Sequence, residues 1–239
     1  MTPNAKQLYD AIDRTWPAAR CWTSGQWTLR DGQGGGKRVS AATANGDVTK
    51  ADIAIAEAAM MQIGQAPLFM IREDEEELDA LLAEHGYEVI DPVILYSLPL
   101  AKLTDVAIPR VTAFHIWEPL AIMREIWASG GIGPERLEVM ARAAVKTAIF
   151  ARWNEKPGGV GFAAMADDLC MVHAVEVPPH QRRQGVAQWI MRRAAFWAES
   201  QGARHMAVLC VEDNLGANAL YRGLGFVPSA RYHYRHKPD

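Results

Sequence analysis

The sequence is poor in the features that mark secreted, membrane-spanning and nucleic-acid-binding proteins. It has three cysteines in 239 residues, Cys21, Cys170 and Cys210, and no CxxC pair, which favours reduced core thiols over a disulfide framework or a zinc site. It has no uninterrupted apolar run of about 18 residues. The formal net charge of −3 gives no basic field that would attract nucleic acid. We therefore expect a soluble, cytoplasmic protein without a metal, membrane or nucleic-acid partner.

Hydrophobic periodicity predicts an α+β protein. Hydrophobic residues make up 49% of the chain, which is ample for one large domain or two modest ones. The first half predicts a helix, a hairpin around a Gly-rich turn, a helix, strand "PLFMIR", a helix that ends at Gly86 and strand "VIDPVILYSL". After a linker, the second half predicts a strand, two helices, three strands and a helix over 186–200, followed by strand "HMAVLCV", helix "NLGANALYRGL" and a last strand. Strands in this order predict a sheet of mixed direction.

The two halves resemble each other at a fixed offset. Gly86 pairs with Gly225, an offset of 139 residues, and the same offset pairs Phe69 with Val208 and Leu81 with Leu220. The paired side chains agree mostly in apolar character. The pattern predicts a repeated unit.

The stretch "HQRRQGVAQW" places two arginines and a glycine before the helix predicted over 186–200. A helix N-terminus has backbone N–H groups without intrahelical partners and a positive partial charge. Gly185 and Ala187 leave room for a pyrophosphate to approach these groups, and Arg182 and Arg183 supply cations for its outer oxygens. The stretch is therefore typical of a phosphate-binding turn.

Two motifs here resemble those of the GNAT acetyltransferases. "RRQGVA" fits the family pattern (Q/R)xxGx(G/A), and "NLGANALYRGLGF" is similar to the family segment NxxAxxLYxxxGF. The resemblance covers about residues 110–239. It implies a twisted mixed sheet flanked by helices, acetyl-CoA or another acyl-CoA as donor, and an amine acceptor.

The resemblance also assigns roles to individual residues. It implies that acyl-CoA binds to Val175, Val177, Arg182, Arg183, Gln184, Gly185, Val186, Ala187 and Asn214. The Asn214 side chain could instead serve only as a helix N-cap. Tyr221, at the family's "LY" position, is a candidate general acid for the leaving thiolate, although packing in an apolar helical stripe also explains it.

The base that deprotonates the amine is left open between His173, Glu176 and a water molecule. "HAVEV" resembles the "HALAV" strand of serotonin N-acetyltransferases, in which the histidine at the position of His173 is involved in proton removal. Glu176 lies close to the expected thioester. In a regular strand the two side chains face opposite sides, and only a β-bulge would bring them to the same side.

The first half departs from the motif. In the repeat register Thr43 and Ala44 replace Arg182 and Arg183, and Leu82 replaces Tyr221. We therefore expect two tandem GNAT-like domains, in which residues 1–100 form a degenerate one, 101–109 a linker, and 110–239 the catalytic one. The degenerate half would shape the acceptor cleft or pair with the second half.

The leading hypothesis is an N-acyltransferase in which the amine attacks the thioester directly, because no cysteine lies on a strand-to-helix elbow beside a base. The alternative is a non-catalytic acyl-CoA-binding regulator. A dinucleotide-binding domain would need GxGxxG after a strand, which is missing. The acceptor cannot be read from the sequence, and a homodimer is compatible with it.

Overall fold

Strands from both halves of the chain share one sheet in the computed structural model, which describes residues 2–238. The first half contains α1 (Ala5–Thr15), β1 (Arg20–Ser24), β2 (Trp27–Asp31), a 3-10 turn (Lys37–Val39), β3 (Thr43–Ala44), α2 (Lys50–Gln62), β4 (Leu68–Arg72), α3 (Glu76–Glu84) and β5 (Glu88–Pro99). The second half contains β6 (Ala113–Ile116), α4 (Ala121–Ser129), α5 (Pro134–Arg142), β7 (Lys146–Trp153), β8 (Lys156–Ala166), β9 (Leu169–Glu176), α6 (Val186–Ser200), β10 (His205–Val211), α7 (Leu215–Gly223) and β11 (Val227–His236).

The main sheet has eight strands in the order β4-β11-β5-β10-β9-β8-β7-β6. Strands β9 and β10 run parallel, and the other neighbouring pairs are antiparallel. A three-stranded sheet, β1-β2-β3, joins the edge strand β4 through a parallel bridge between Ala42 and Phe69. The predicted mixed sheet flanked by helices is confirmed.

Strands β5 and β11 are exchanged between the halves. β5, from the first half, lies between β10 and β11 of the second. β11, the last strand, in turn lies between β4 and β5 of the first half. Each half therefore completes its part of the sheet with a strand of the other.

The 139-residue offset matches the positions of the helices and strands. It maps α3 onto α7 residue for residue, and the start of β5 onto the start of β11. β4 maps onto the last five residues of β10. The repeat predicted from the sequence therefore coincides with a repeat of structure in this region.

Helices cover both faces of the main sheet. The apolar stripe of α6, which includes Ile190, Met191 and Ala194, packs on one face together with α7. α1, α4 and α5 pack on the other face, where Trp127 of α4 is fully buried. Alternation along β5 sends Tyr96 to the α7 face and Leu95 to the α1 face.

The element predictions agree closely with the structure in the second half, where α6 and β10 begin and end as expected. In the first half, the hairpin expected around the Gly-rich turn is β2 with β3, paired at Trp27 with Ala44 and at Thr28 with Thr43. The sequence reading missed β1. No helix among residues 2–238 is both long and apolar enough to span a membrane.

The strand exchange makes a prediction about fragments. A fragment of residues 105–239 lacks β5, so β10 and β11 lose their shared neighbour and the core loses Tyr96 and Leu98. We expect this fragment to show no cooperative thermal transition by circular dichroism. The matched control is the full chain cut by a protease site within 104–109, which should stay associated and melt cooperatively. A cooperative transition of the isolated fragment near that of the intact chain would contradict this expectation.

Candidate active site

The sheet opens between β9 and β10. The two strands pair from Leu169 with His205 to Val172 with Val208, and no pairing continues beyond that point. His173 is the first residue of β9 past the paired region. The ends of the two parallel strands therefore border a gap in the sheet, with α6 and α7 on one side and α1 and α4 on the other.

A β-bulge follows His173. On β8, Phe162 pairs with His173 and Val160 pairs with Glu176, so β9 has one residue more than β8 between these pairs. Ala174 adopts a φ of 50°, and its carbonyl accepts a 2.8 Å hydrogen bond from Trp127 Nε1. The bulge brings the side chains of His173 and Glu176 to the same side of the sheet.

A cavity of about 620 Å³ lies beside this gap, at the end of β9 and the N-termini of α6 and α7. Most of the residues predicted to bind or act on acyl-CoA line it, namely Val175, Glu176, Val177, Arg182, Arg183, Gly185, Val186, Ala187, Asn214 and Tyr221. Gln184 and His173 are not among its lining residues. The fold therefore brings two sequence motifs about 30 residues apart into one pocket.

The N-terminus of α6 has the form of an anion site. Gly185, its N-cap residue, has a φ of 82°, and no atom within 4 Å would meet a Cβ placed there. No side chain caps the helix. The N–H groups of Val186 and Ala187, in the first turn, have no intrahelical acceptor and border the cavity. The residues present fit a pyrophosphate, since a phosphate oxygen can cap these groups.

The polar side chains of the turn differ in the hydrogen bonds that they make within the protein. Arg183 is exposed at the cavity rim with a φ of 63°. Arg182 folds back, where its guanidinium donates to Val177 O and contacts a Glu176 carboxylate oxygen at 3.3 Å. Gln184 accepts from Trp153 Nε1 at 2.7 Å and donates to a backbone carbonyl. The Gln184 side chain is thus directed at Trp153 and the backbone, and Gln184 is not among the residues that line the cavity.

Tyr221 is held by its ring, while its hydroxyl faces no hydrogen-bonding group of the described residues. The ring packs between Tyr96 of β5 and Phe226, at centroid distances of 6.0 and 5.8 Å. Among residues 2–238, no hydrogen bond joins the hydroxyl, although the residue lines the cavity. Burial raises the pKa of Tyr221 far above its ordinary value, so the hydroxyl keeps its proton at neutral pH.

Two asparagines fix the start of α7. The Asn214 side chain accepts from Ala217 N at 3.0 Å, so it is the N-cap. Asn218 donates to three backbone carbonyls of the preceding turn and accepts a 2.6 Å hydrogen bond from the Tyr96 hydroxyl. A strand of the first half therefore positions the helix that carries Tyr221.

His173 is 3% exposed and both of its ring nitrogens are occupied. Arg38 donates to Nδ1 at 2.9 Å, and since a guanidinium can only donate, the ring proton lies on Nε2. Nε2 then donates to Thr15 Oγ1 at 2.9 Å, which donates to Ala11 O. Burial, together with the charge of Arg38, holds the pKa of His173 well below its ordinary value. The ring is therefore neutral and has no free acceptor.

Glu176 lies at the junction of the cavity and the opposite side of the sheet. Its side chain is 19% exposed and lines the cavity together with Tyr221. It packs against the end of α4, where a Cβ on Gly130 would lie 2.5 Å from a Glu176 carboxylate oxygen. The glycine thus makes room for the Glu176 carboxylate between the end of α4 and the cavity.

Comparisons with known proteins agree with this geometry. Residues 118–226 match the model of the acetyltransferase (GNAT) family. This match, together with the relatives below, supports a GNAT superfamily acetyltransferase. It is 25% identical to the uncharacterized N-acetyltransferase YobR of Bacillus subtilis (strain 168), over 93% of this chain and 94% of that protein.

Several solved structures share the fold of this chain over nearly its whole length. A GCN5-related N-acetyltransferase from Kribbella flavida superimposes with a TM-score of 0.70 and 21% identity, covering 98% of this chain and 96% of that one. A tandem GNAT protein from the clavulanic acid biosynthesis pathway gives a TM-score of 0.62 and 14% identity, covering 96% and 86%. These structures support the predicted tandem GNAT-like fold. The family match and the N-acetyltransferase relative support a transferase.

Proposed function

We propose that the protein transfers an acetyl group from acetyl-CoA to an amine that attacks the thioester directly. The observation that carries this proposal is that the uncapped N-terminus of α6, Glu176 and Tyr221 all line the same cavity. The pyrophosphate would bind to the N–H groups at the start of α6 and to Arg183. The pantetheine would then extend along Val175 and Val177 towards the gap between β9 and β10.

In this proposal Glu176 accepts a proton from the amine, directly or through a water molecule, and the Tyr221 hydroxyl donates a hydrogen bond to the departing sulfur. A thiolate of ordinary pKa, about 8.5, is a weaker base than the tyrosinate, so the hydroxyl acts mainly by stabilising charge. The geometry favours Glu176 over His173 as base, because both nitrogens of His173 are bonded within the protein.

Direct attack is favoured because no cysteine thiol in the part of the chain that the structure describes is a suitable nucleophile near the gap. Cys210, the cysteine closest in sequence to α7, is 8% exposed and contacts Asn218 Oδ1 through its sulfur at 3.4 Å. Burial raises the pKa of Cys210 to about 11, so little thiolate is present at neutral pH.

We further propose that the first half binds no cofactor. The helix that corresponds to α6 is α2, and its N-terminus is closed by a capping box between Thr49 and Asp52. The Asp52 carboxylate occupies the place that an external anion would need. This half, residues 1–100 in the proposed division, instead supplies β5 and covers the acceptor side with α1.

Calorimetry with acetyl-CoA and an assay of thiol release with a panel of amines test the proposed function. We expect saturable binding of acetyl-CoA by the wild-type chain, and thiol release that depends on the amine. Binding without release for every amine would instead support the alternative, a non-catalytic acyl-CoA-binding regulator.

Glu176→Gln tests the base. The substitution keeps the size of the side chain and an oxygen for Arg182, but removes the basic carboxylate, so kcat should fall by roughly 100- to 10,000-fold with unchanged affinity for acetyl-CoA. Glu199→Gln, on the exposed side of α6, is the matched control and should keep wild-type turnover. A kcat of Glu176→Gln near that of the wild type would exclude Glu176 as the base.

A further inference from the structure

Arg38, from the first half, is held rigidly against the gap in the sheet. It lies in the 3-10 turn Lys37–Val39, and the glycine loop before that turn packs on α5. Gly35 is required there, since a Cβ would lie 2.5 Å from Val139 Cγ2. Val39 is buried in the same cluster as Val139. By packing against helix α5 of the second half, the loop therefore fixes the position of Arg38, a residue of the first half.

The Arg38 guanidinium has no counter-ion among residues 2–238. Its one hydrogen bond is to the neutral His173, and it stacks on the Trp16 ring at 4.9 Å. No carboxylate among residues 2–238 lies within 4.0 Å of it. By contrast, the buried Arg30 pairs with Asp13 through two hydrogen bonds, and Lys37 pairs with Asp91.

An arginine in this setting favours an external anion. A half-buried charge without a partner is costly, and a planar guanidinium binds a carboxylate through two parallel hydrogen bonds. Arg38 Nε and Nη2 make no hydrogen bond to residues 2–238, and neither is a sealed buried atom. They are therefore available to a ligand.

The position of Arg38 relates this anion to the acceptor. It contacts His173, the first residue beyond the paired part of β9, on the side of the sheet covered by α1. Its charge also reaches the Tyr221 hydroxyl, whose pKa it lowers against the larger effect of burial. An acetyl group that enters the gap carries no charge, so with acetyl-CoA as donor the other substrate would supply the anion.

We propose that Arg38 selects acceptor amines that carry a carboxylate, as an amino acid does. This inference rests on the proposed function, because it names the acceptor class of the same site. A carboxylate on the acyl group of the donor would have the same chemistry, so the test separates the two sources.

The experiment compares free amino acids with their C-terminal amides in the thiol-release assay, with acetyl-CoA as donor. For the wild type we expect a kcat/KM at least 10-fold higher for the best amino acid than for its amide. Arg38→Gln, which keeps an N–H donor for His173, should raise the KM for that amino acid roughly 10- to 100-fold and leave the KM for the amide and for acetyl-CoA unchanged. Arg136→Gln removes a charge from exposed α5 beside the same loop and should change none of these values.

Four results would overturn the proposal. An equal kcat/KM of the wild type for amino acids and their amides would show that the site does not recognise the carboxylate. The proposed acetyl transfer would still stand in that case, because thiol is released. If Arg38→Gln impaired kcat/KM equally for the amino acid and the amide, Arg38 would serve only to position His173. A preference for succinyl-CoA over acetyl-CoA that Arg38→Gln abolishes would assign the carboxylate to the donor. Absence of thiol release with every amine would contradict the proposed function and this inference together.

Discussion

Gly185→Val is expected to abolish measurable binding of acetyl-CoA. Gly185 has a φ of 82°, which a β-branched residue adopts only under strain, and the new side chain would project into the space where the pyrophosphate approaches the start of α6. Loss of even part of the contacts to the first-turn N–H groups should lower the affinity by more than 100-fold, because charge-assisted hydrogen bonds are the strong ones. Isothermal calorimetry measures the change directly.

Gly202→Val is the control for backbone strain. Gly202 has a φ of 88°, no atom lies within 4 Å of a Cβ placed there, and it follows the other end of α6, outside the cavity. The two variants should therefore lose similar thermal stability, while only Gly185→Val loses the ligand. Wild-type affinity in Gly185→Val would remove the phosphate-binding role from this turn.

Tyr221→Phe is expected to lower kcat by roughly 10- to 1000-fold, the range for losing one proton donor or oxyanion partner. The substitution keeps the ring between Tyr96 and Phe226 and removes only a hydroxyl that has no hydrogen-bond partner among the described residues. Stability and acetyl-CoA affinity should therefore barely change. A donor whose leaving thiol has a lower pKa should show a smaller effect, since that thiolate needs less stabilisation.

The pH dependence gives a second measurement for Tyr221. The neutral hydroxyl is the active form, and burial raises its pKa, so the wild-type rate should not fall on the alkaline side through ordinary tyrosine ionisation near pH 10.

Tyr234→Phe is the matched control for Tyr221→Phe. Tyr234 lies on the face of the sheet that packs against α1, so this variant should keep full turnover. Full kcat in Tyr221→Phe would leave positioning of the thioester as the main contribution of the site.

The sequence predicts the parts of the site that depend on local signals. The bounds of α6 follow from its apolar stripe and from the glycine before it, and the Asn214 cap follows from residue type at the start of α7. The cavity then arises because a β-α-β unit brings the starts of both helices to the same end of the sheet. These features depend only on residues close in sequence and on the right-handed crossover of one β-α-β unit.

Other parts of the site depend on contacts between distant residues, which no local pattern encodes. The bulge at Ala174 results from pairing with β8 and from the Trp127 hydrogen bond, and its strand reads as regular in the sequence. Arg38 lies in a glycine-rich segment that predicts only a turn. Its role as a partner of His173 depends on how that loop packs on α5. The repeat predicts that the halves pair, but not that they exchange strands.

The strand exchange has a consequence for synthesis on the ribosome. β11 is made more than 100 residues after β5, and until it leaves the exit tunnel β4 and β5 lack the neighbour that separates them in the sheet. The first half therefore cannot complete its fold before β11 emerges, although its residues are made first. The pairing of β5 with β11 also joins residues more than 100 positions apart, a topology that slows folding. Such a chain should have the greatest need of chaperones between the synthesis of β5 and the emergence of β11 from the exit tunnel.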